Sequence, residues 1–171
     1  MKLNNKSYFV ILLFCFCAPQ LAQAYQVEPT TLIFVRHAER AEDGTSNPPI
    51  SEKGKERSVN LYHSLSNYSI NAIYSTSYKR TMMTVKPTSD SLGIEVQEYG
   101  FDDIEGLLTK IISENSGFAV LIVGHSNTTP SLTNMVLGEE RFEKFEETDF
   151  GDMLIVTTTE FGKGEVVLKE F

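Results

Sequence analysis

Cysteine is scarce in this sequence, and the positions of the few cysteines exclude several kinds of chemistry. The chain has 171 residues and two cysteines, Cys15 and Cys17. Both lie in one apolar run, residues 8–17, near the amino terminus. The rest of the chain can therefore form no disulfide and has no thiolate nucleophile or cysteine-ligated metal.

Long hydrophobic runs are also missing. The run at residues 8–17 is shorter than the ~20 residues that span a bilayer. Two lysines precede it, and the small-x-small sequence Ala22-Gln23-Ala24 follows it. These features predict a secretory signal peptide over residues 1–24, cleaved before Tyr25, and a secreted or periplasmic protein. The alternative is an uncleaved amino-terminal anchor.

Removing 24 of the 171 residues leaves 147, a length that suits one domain over residues 25–171. Positive charge is in deficit, since the net charge is −8 and becomes about −10 without the two lysines of the signal peptide. An acidic chain argues against nucleic acid or an anionic membrane surface as a partner. We expect no stable membrane span after cleavage, while the oligomeric state stays open.

The sequence has no internal repeat, and strand-like and helix-like segments alternate along it. Five apolar segments predict strands at residues 31–35, 72–74, 94–96, 118–123 and 153–159, and a last short one lies at 166–168. Helices are expected after the caps Ser51, Ser75 or Ser77 and Asp102-Asp103, with Pro87 kinking or interrupting the second, and a fourth helix is expected over residues 127–137. This order predicts an α/β three-layer sandwich, with a mostly parallel central sheet, helices on both faces and an antiparallel last pair.

Two of the three histidines follow apolar runs directly. His37 comes after Leu32–Arg36, and His125 after Val120–Gly124. Ligands bind beyond the carboxyl ends of the strands in open α/β sheets, so we expect both rings at one edge. A neutral imidazole can act as a nucleophile there. Either histidine alone would more often have a structural role than a catalytic one. The third histidine, His63, lies in a predicted helix away from any strand end.

Arginines accompany these histidines. Arg36 directly precedes His37, and Arg80 lies at the start of the helix that follows the second strand. A guanidinium matches the oxygens of a phosphate group and stays charged at any working pH. Arg36 could instead pair with Glu39 or Glu42, and Arg80 could be an ordinary helix residue. Taken together, the four residues favour chemistry on a phosphate group.

Four segments also resemble motifs of one known family. Residues 36–39 (RHAE) look like the RHG/RHA motif of the histidine phosphatase superfamily, which has the phosphoglycerate-mutase-like fold. Residues 49–54 (PISEKG), 73–84 (IYSTSYKRTMMT) and 123–128 (VGHSNT) resemble three further motifs of that family, in the same order. The resemblance extends over residues 31–137 and points to its small exported members.

The resemblance implies a mechanism. His37 would be the nucleophile and carry a phosphohistidine, while Arg36, Arg80 and His125 would hold the phosphoryl oxygens. Arg40 and Ser126 are further candidates for substrate binding. No metal or other cofactor is implied, because the arginines and a histidine supply the positive charge. Phosphoryl transfer depends mainly on such electrostatic positioning.

The proton donor of the resembled family has no single counterpart here. Four carboxylates are candidates: Glu98, Asp102, Asp103 and Glu105. Asp102 and Asp103 also suit the start of a helix, where side-chain oxygens and negative charge are favourable. Loss of the donor is the remaining alternative.

The sequence is consistent with two functions. The first is a metal-independent phosphomonoester hydrolase acting on a phosphorylated small molecule or a phosphorylated surface glycan. The second is a phosphate-binding or interaction module of the same fold that does not turn substrate over. The natural substrate does not follow from the sequence.

Overall fold

A computed structural model describes residues 27–171 of the chain. The predicted signal peptide, with both cysteines, lies outside the described residues. None of the helices in the described part is long and apolar enough to cross a membrane. The elements in chain order are β1 (Thr30–Arg36), α1 (Glu52–Ser64), β2 (Ile70–Ser75), α2 (Lys79–Leu92), β3 (Val96–Glu98), α3 (Ile104–Glu114), β4 (Ala119–Gly124), α4 (Thr128–Leu137), β5 (Asp152–Thr158) and β6 (Glu165–Glu170).

The strands form one six-stranded sheet in the order β3-β2-β4-β1-β5-β6. Strands β1 to β4 pair in parallel, whereas β5 runs antiparallel to β1 and β6 antiparallel to β5. The predicted fold class, with a mostly parallel sheet and an antiparallel last pair, is confirmed. The parallel part follows from the helical crossovers, which return the chain to the same end of the sheet before each new strand.

Two apolar cores cover the two faces of the sheet. Leu32 and Phe34 of β1 pack with side chains of α3 and α4 on one face. Ile33 and Val35 pack with side chains of α1 and α2 on the other. All four are fully buried. This is why β1 reads as a continuous apolar run, since a parallel strand in the centre of a sheet is buried on both sides.

The strand register brings the ends of three strands to one edge. Arg36 of β1 pairs with Gly124 of β4, and Ser75 of β2 pairs with Val123 of β4. The amide of His37 donates to the carbonyl of Gly124 at 3.0 Å. Residues that immediately follow β1, β2 and β4 therefore meet at a single place, where the sheet edge can hold a ligand.

Helix α2 differs from the sequence-based expectation. It runs without interruption from Lys79 to Leu92 although Pro87 lies inside it. The buried residues Val85 and Thr88 flank the proline, and we attribute the continuity of the helix to their packing against the sheet and α1. Such packing outweighs the ~3 kcal/mol that an internal proline costs a helix.

The start of α2 also differs. Neither Ser75 nor Ser77 caps the helix; its N-cap is Tyr78, whose side chain makes no capping bond. The side-chain oxygen of Asn47 instead accepts from the amide of Lys79 at 3.0 Å. The other expected caps are present, since Ser51 accepts from Gly54 and Asp103 from Gly106.

Candidate active site

A cavity of about 390 Å³ opens at the edge where the strands meet. Its walls come from the ends of β1 and β4, the start of α2 and α4, and the loops after β3 and α4. The residues that line it are Arg36, His37, Arg40, Tyr78, Arg80, Phe101, His125, Ser126, Asn127, Thr128 and Glu147. Three arginines and one carboxylate give the cavity an excess of positive charge, which suits an anionic ligand.

The ring of His37 is held in one orientation. Its Nδ1 lies 2.8 Å from the carbonyl oxygen of Ala38, which can only accept, so Nδ1 carries the proton and donates it. The other nitrogen, Nε2, has no hydrogen-bond partner within residues 27–171. Burial, followed by the nearby charge of Arg80, lowers the pKa of His37 to about 3. The ring is therefore neutral above that pH, with the lone pair on Nε2.

Arg36 is almost fully buried beside it, with 5% of its surface exposed. Its Nη1 donates to the carbonyl oxygens of Glu146 at 2.6 Å and Asp149 at 2.8 Å. The guanidinium also stacks on the ring of Phe150, 4.1 Å from its centre. Burial lowers the pKa of Arg36, against the opposing effect of Glu147 and Asp149, but an arginine stays charged.

One polar atom of Arg36 is left without a partner. Its Nε is buried and makes no hydrogen bond with any described residue. An unpaired buried donor on a charged group is costly unless something binds it. With Nη1 occupied by two carbonyls, Nε and Nη2 are the donors that remain for a ligand. A phosphate oxygen is the acceptor that a guanidinium fork matches best.

His125 lies close to His37, with ring centres 5.4 Å apart. Its Nδ1 is 3.3 Å from a guanidinium nitrogen of Arg80, and its Nε2 is 3.0 Å from the hydroxyl of Thr76. Arginine can only donate, so Nδ1 accepts and Nε2 carries the proton. Burial and then the charge of Arg80 lower the pKa of His125 to about 4. The neutral ring thus orients Arg80, which also stacks on the ring of Tyr78.

The amino-terminal end of α4 closes the floor of the cavity. The hydroxyl of Thr128 accepts from the amide of His125 at 2.9 Å. That turn needs a glycine before the histidine, because a Cβ on Gly124 would lie 2.6 Å from the same hydroxyl. Asn127 and Thr128 bring the start of a ten-residue helix to the cavity, and helix amino termini attract anions.

Glu39, the residue that follows the RHA triplet, does not face the cavity. Its two carboxylate oxygens accept from Nε and Nη2 of Arg57, each at 2.8 Å, and Lys53 lies 3.2 Å away. Burial opposes its charge, but the bonds from Arg57 and Lys53 outweigh that effect and lower the pKa of Glu39 to about 2. The pair ties the segment after His37 to α1.

The structure brings all six predicted site residues to the cavity: Arg36, His37, Arg40, Arg80, His125 and Ser126. None of the four proposed proton donors lines it: Glu98, Asp102, Asp103 and Glu105 are exposed elsewhere. Arg36 binds neither Glu39 nor Glu42, the partners considered from the sequence.

Several residues of the site were missed from the sequence. Tyr78 and Phe101 are exposed aromatic residues at its entrance, and Glu147 comes from the charged loop after α4. Tyr78 lies two residues before Arg80 in the sequence, and this proximity to a predicted site residue is a signal for it. Glu147 has no local signal, because it reaches the cavity from a loop more than 100 residues after Arg36. Within residues 27–171, no group of three or more metal-ligating side chains is arranged to hold a metal ion.

A sequence comparison agrees with this geometry. Residues 32–100 match the profile of the histidine phosphatase superfamily (branch 1). The matched region contains Arg36, His37 and Arg80 and ends before His125. A search of curated proteins found no match.

Several solved structures have a similar fold. The protein histidine phosphatase SixA, solved in complex with tungstate, aligns with a TM-score of 0.67 at 16% identity, covering 82% of this chain and 96% of that one. YhfR of Bacillus stearothermophilus gives 0.64 at 15% identity, covering 82% and 96%. Phosphoserine phosphatase of Entamoeba histolytica, in complex with 3-phosphoglyceric acid, gives 0.60 at 15% identity, covering 83% and 96%.

At these identities the structural likeness establishes the fold, which is phosphoglycerate-mutase-like. The profile match covers the sequence segment that contains the first histidine of the cavity. The same segment contains the buried Arg36 and the half-buried Arg80. The second histidine motif also lies in its place, at the end of β4. The partial profile match and the fold together support the histidine phosphatase superfamily.

Proposed function

We propose that this protein is a metal-independent phosphomonoester hydrolase that works through a phosphohistidine on His37. The observation that carries the proposal is the orientation of the His37 ring. Its Nδ1–H is bonded to the carbonyl of Ala38, so the lone pair of Nε2 is free in a cavity lined by three arginines. A neutral imidazole nucleophile beside fixed cations is what attack on a phosphate ester requires.

In the first step Nε2 of His37 attacks phosphorus, and the ester oxygen leaves with the electron pair of the P–O bond. The phosphorylated ring becomes positively charged, and the carbonyl of Ala38, still accepting from Nδ1–H, stabilises that charge. Nε and Nη2 of Arg36, with Arg80, bind the oxygens of the transferred group. The cationic ring is a good leaving group, so water can release phosphate in a second step.

His125 has two parts in this scheme. In the empty site it accepts from Arg80 and donates to Thr76, so it orients the guanidinium. A phosphoryl oxygen that replaces the hydroxyl of Thr76 would receive the same Nε2–H. Both histidines stay neutral down to about pH 4. In mildly acidic solution His37 therefore remains a nucleophile, and His125 still donates a hydrogen bond from Nε2.

The substrates we propose are a phosphorylated small molecule or a phosphorylated glycan of the cell surface, met after export. The entrance supports a phosphate on a larger polar group, since exposed Arg40, Tyr78 and Phe101 surround it. Among similar folds, SixA was solved with tungstate, an oxyanion, and the Entamoeba enzyme with 3-phosphoglyceric acid. Export rests on the signal sequence predicted over residues 1–24.

The test is hydrolysis of para-nitrophenyl phosphate by the chain beginning at Tyr25, at pH 4 to 8 and with EDTA present. We expect turnover by the wild type and a loss of at least about 10³-fold in His37→Ala, because the nucleophile is removed. His63→Ala is the matched control, since His63 is exposed on α1 and does not line the cavity. Turnover by His37→Ala within a few-fold of wild type would refute the proposal. Phosphate binding with no turnover by either protein would favour a binding module.

A further inference from the structure

Glu147 is the one carboxylate among the described residues that line the cavity. Its Oε2 lies 3.6 Å from Nη2 of Arg36, and its Oε1 lies 3.9 Å from the ammonium of Lys144. Its side chain is 71% exposed, so solvent can reach the carboxylate. The four carboxylates considered from the sequence do not share this position.

The rim loop, residues 138–151 between α4 and β5, fixes where this carboxylate can be. The amide of Phe145 donates to the carbonyl of Ser126 at 2.9 Å, which ties the loop to the start of α4. The carbonyls of Glu146 and Asp149 both accept from Nη1 of Arg36. Glu147 thus lies between two residues that hold Arg36, and its backbone cannot leave the site while these bonds persist.

That position brings the carboxylate next to a bound phosphoryl group. A phosphoryl oxygen held by Nη2 of Arg36 lies about 2.9 Å from that nitrogen. Oε2 of Glu147 is 3.6 Å from the same nitrogen, and the glutamate side chain is exposed whereas Arg36 is buried. A water molecule that donates a hydrogen bond to this carboxylate would lie beside the phosphoryl group, whose phosphorus its oxygen could attack.

We propose that Glu147 is the general base for hydrolysis of the phosphohistidine, an inference that rests on the proposed function. Its carboxylate takes a proton from water as the water oxygen bonds to phosphorus. The P–N bond breaks, and its electron pair returns to Nε2 of His37. The products are inorganic phosphate, neutral His37 and a protonated Glu147, which gives its proton to the solvent.

The charges around Glu147 fit a base rather than an acid. The carboxylate form of a glutamate side chain has only acceptor oxygens, so it is the form that can take a proton from water. The cations that face it are Arg36 and Lys144, and Arg40 lines the same cavity. The neighbouring anion is Asp149, whose side chain accepts from the amide of Glu146.

The experiment follows release of para-nitrophenolate by stopped flow in wild type, Glu147→Gln and Glu143→Gln. Glutamine keeps the shape of the side chain but cannot accept the proton. We expect a burst of about one para-nitrophenolate per active site in Glu147→Gln, then a steady rate lowered by about 10²-fold, the usual size of a general-base effect. The phosphorylated protein should accumulate, as an added mass of one phosphoryl group. Glu143→Gln removes the same charge from an exposed position of the rim loop and should match the wild type.

The other outcomes separate this inference from the proposed function. Steady turnover by Glu147→Gln equal to or faster than wild type would show that the carboxylate is no base. Slower turnover without a burst would place Glu147 in the first step and would equally overturn the inference. In both cases wild-type turnover and its loss in His37→Ala would still support the phosphohistidine mechanism. Absence of turnover in the wild type would instead overturn the proposed function itself.

Discussion

The floor and the rim of the cavity are built in different ways. The floor consists of strand ends and helix starts: Arg36 and His37 after β1, His125 after β4, and Thr128 opening α4. These residues are buried or half-buried, and hydrogen bonds hold Nη1 of Arg36, Nδ1 of His37 and both ring nitrogens of His125. The rim consists of exposed side chains, Arg40, Tyr78, Phe101 and Glu147, carried mainly by loops.

This contrast separates the two tasks of the site. Reaction geometry depends on rigid backbone, so the groups that would touch phosphorus come from the sheet. Contacts to the rest of a substrate tolerate adjustment, so they come from exposed side chains. Substitutions in the floor should therefore change kcat and stability, and substitutions of Arg40, Tyr78 or Phe101 in the rim should change KM. Glu147 is the exception in the rim, because its proposed part in hydrolysis places its effect in kcat.

The largest effect is expected from Arg36→Lys. Lysine keeps the charge, but it cannot bond two carbonyls and still present a fork of donors to a phosphate group. We expect kcat/KM for para-nitrophenyl phosphate to fall by about 10²–10³-fold, as when a preorganised donor is lost from an active site. Steady-state kinetics measure it, and Arg141→Lys on the exposed rim loop is the control. Equal activity of the two variants would contradict the role of the guanidinium.

The next largest effect is the change in the free energy of unfolding with pH. The pKa values of His37 and His125, about 3 and about 4, lie below the ordinary 6.5, so the unfolded chain binds more protons as the pH falls below 6.5. Stability is therefore fully present above about pH 7 and falls below it, by up to about 1.4 kcal/mol per pH unit for each histidine. Urea unfolding between pH 7 and pH 5 measures it.

Two variants test whether this change of the free energy of unfolding with pH comes from His37 in the floor. His37→Gln should remove up to one proton from the difference between unfolded and folded chains, and His63→Gln, on the exposed side of α1, is the matched control. Glu39 also loses stabilisation in acid, but only below its unfolded pKa of about 4.5, which is why the range ends at pH 5. An unchanged slope in His37→Gln would contradict a buried neutral ring.

A smaller effect is expected from added methyl groups. In Gly124→Ala the new Cβ would lie 2.6 Å from the hydroxyl of Thr128, so the floor must shift. We expect a loss of about 1–3 kcal/mol in the free energy of unfolding, which is typical of overpacking. Gly100→Ala, near the rim, meets nothing within 4 Å and should change stability by less than about 0.5 kcal/mol. Urea titrations measure both variants, and equal free energies of unfolding for the two would contradict the difference between floor and rim.

The smallest effect is expected from Arg40→Gln at the rim. The side chain is exposed, and within residues 27–171 it has no ion-pair partner. We expect KM for a sugar phosphate to rise by about 3–10-fold with little change in kcat, because an exposed charge contributes about 1 kcal/mol or less. A fall in kcat with unchanged KM would instead place Arg40 among the groups that act on phosphorus.

The floor could be predicted from the sequence because its signals are local. An apolar run that stops at a histidine marks a strand end, and parallel strands bring such ends to one edge. The cap at Ser51 and the glycine at position 124 are equally local. The prediction that Pro87 interrupts α2 is wrong, because long-range packing outweighs the local rule.

Apart from Arg40, the rim and the contacts that hold Arg36 could not be predicted in this way. Arg36 is held by carbonyl oxygens of residues 146 and 149, and every residue type has a carbonyl, so the acceptor leaves no trace in the sequence. Glu147 is one of several acids in a charged loop, and only the tertiary structure distinguishes it from Glu143 or Glu146. The cap that Asn47 supplies to α2 is likewise a contact between distant segments.

The most direct test of the central claim is to trap the phosphorylated protein. Wild type and Glu147→Gln are mixed with para-nitrophenyl phosphate, quenched in alkali, in which phosphohistidine survives, and digested for peptide mass spectrometry. The account predicts one phosphoryl group on the peptide that contains His37 and none in His37→Ala. A phosphoryl group on another residue, or turnover with no phosphorylated peptide in either protein, would contradict it.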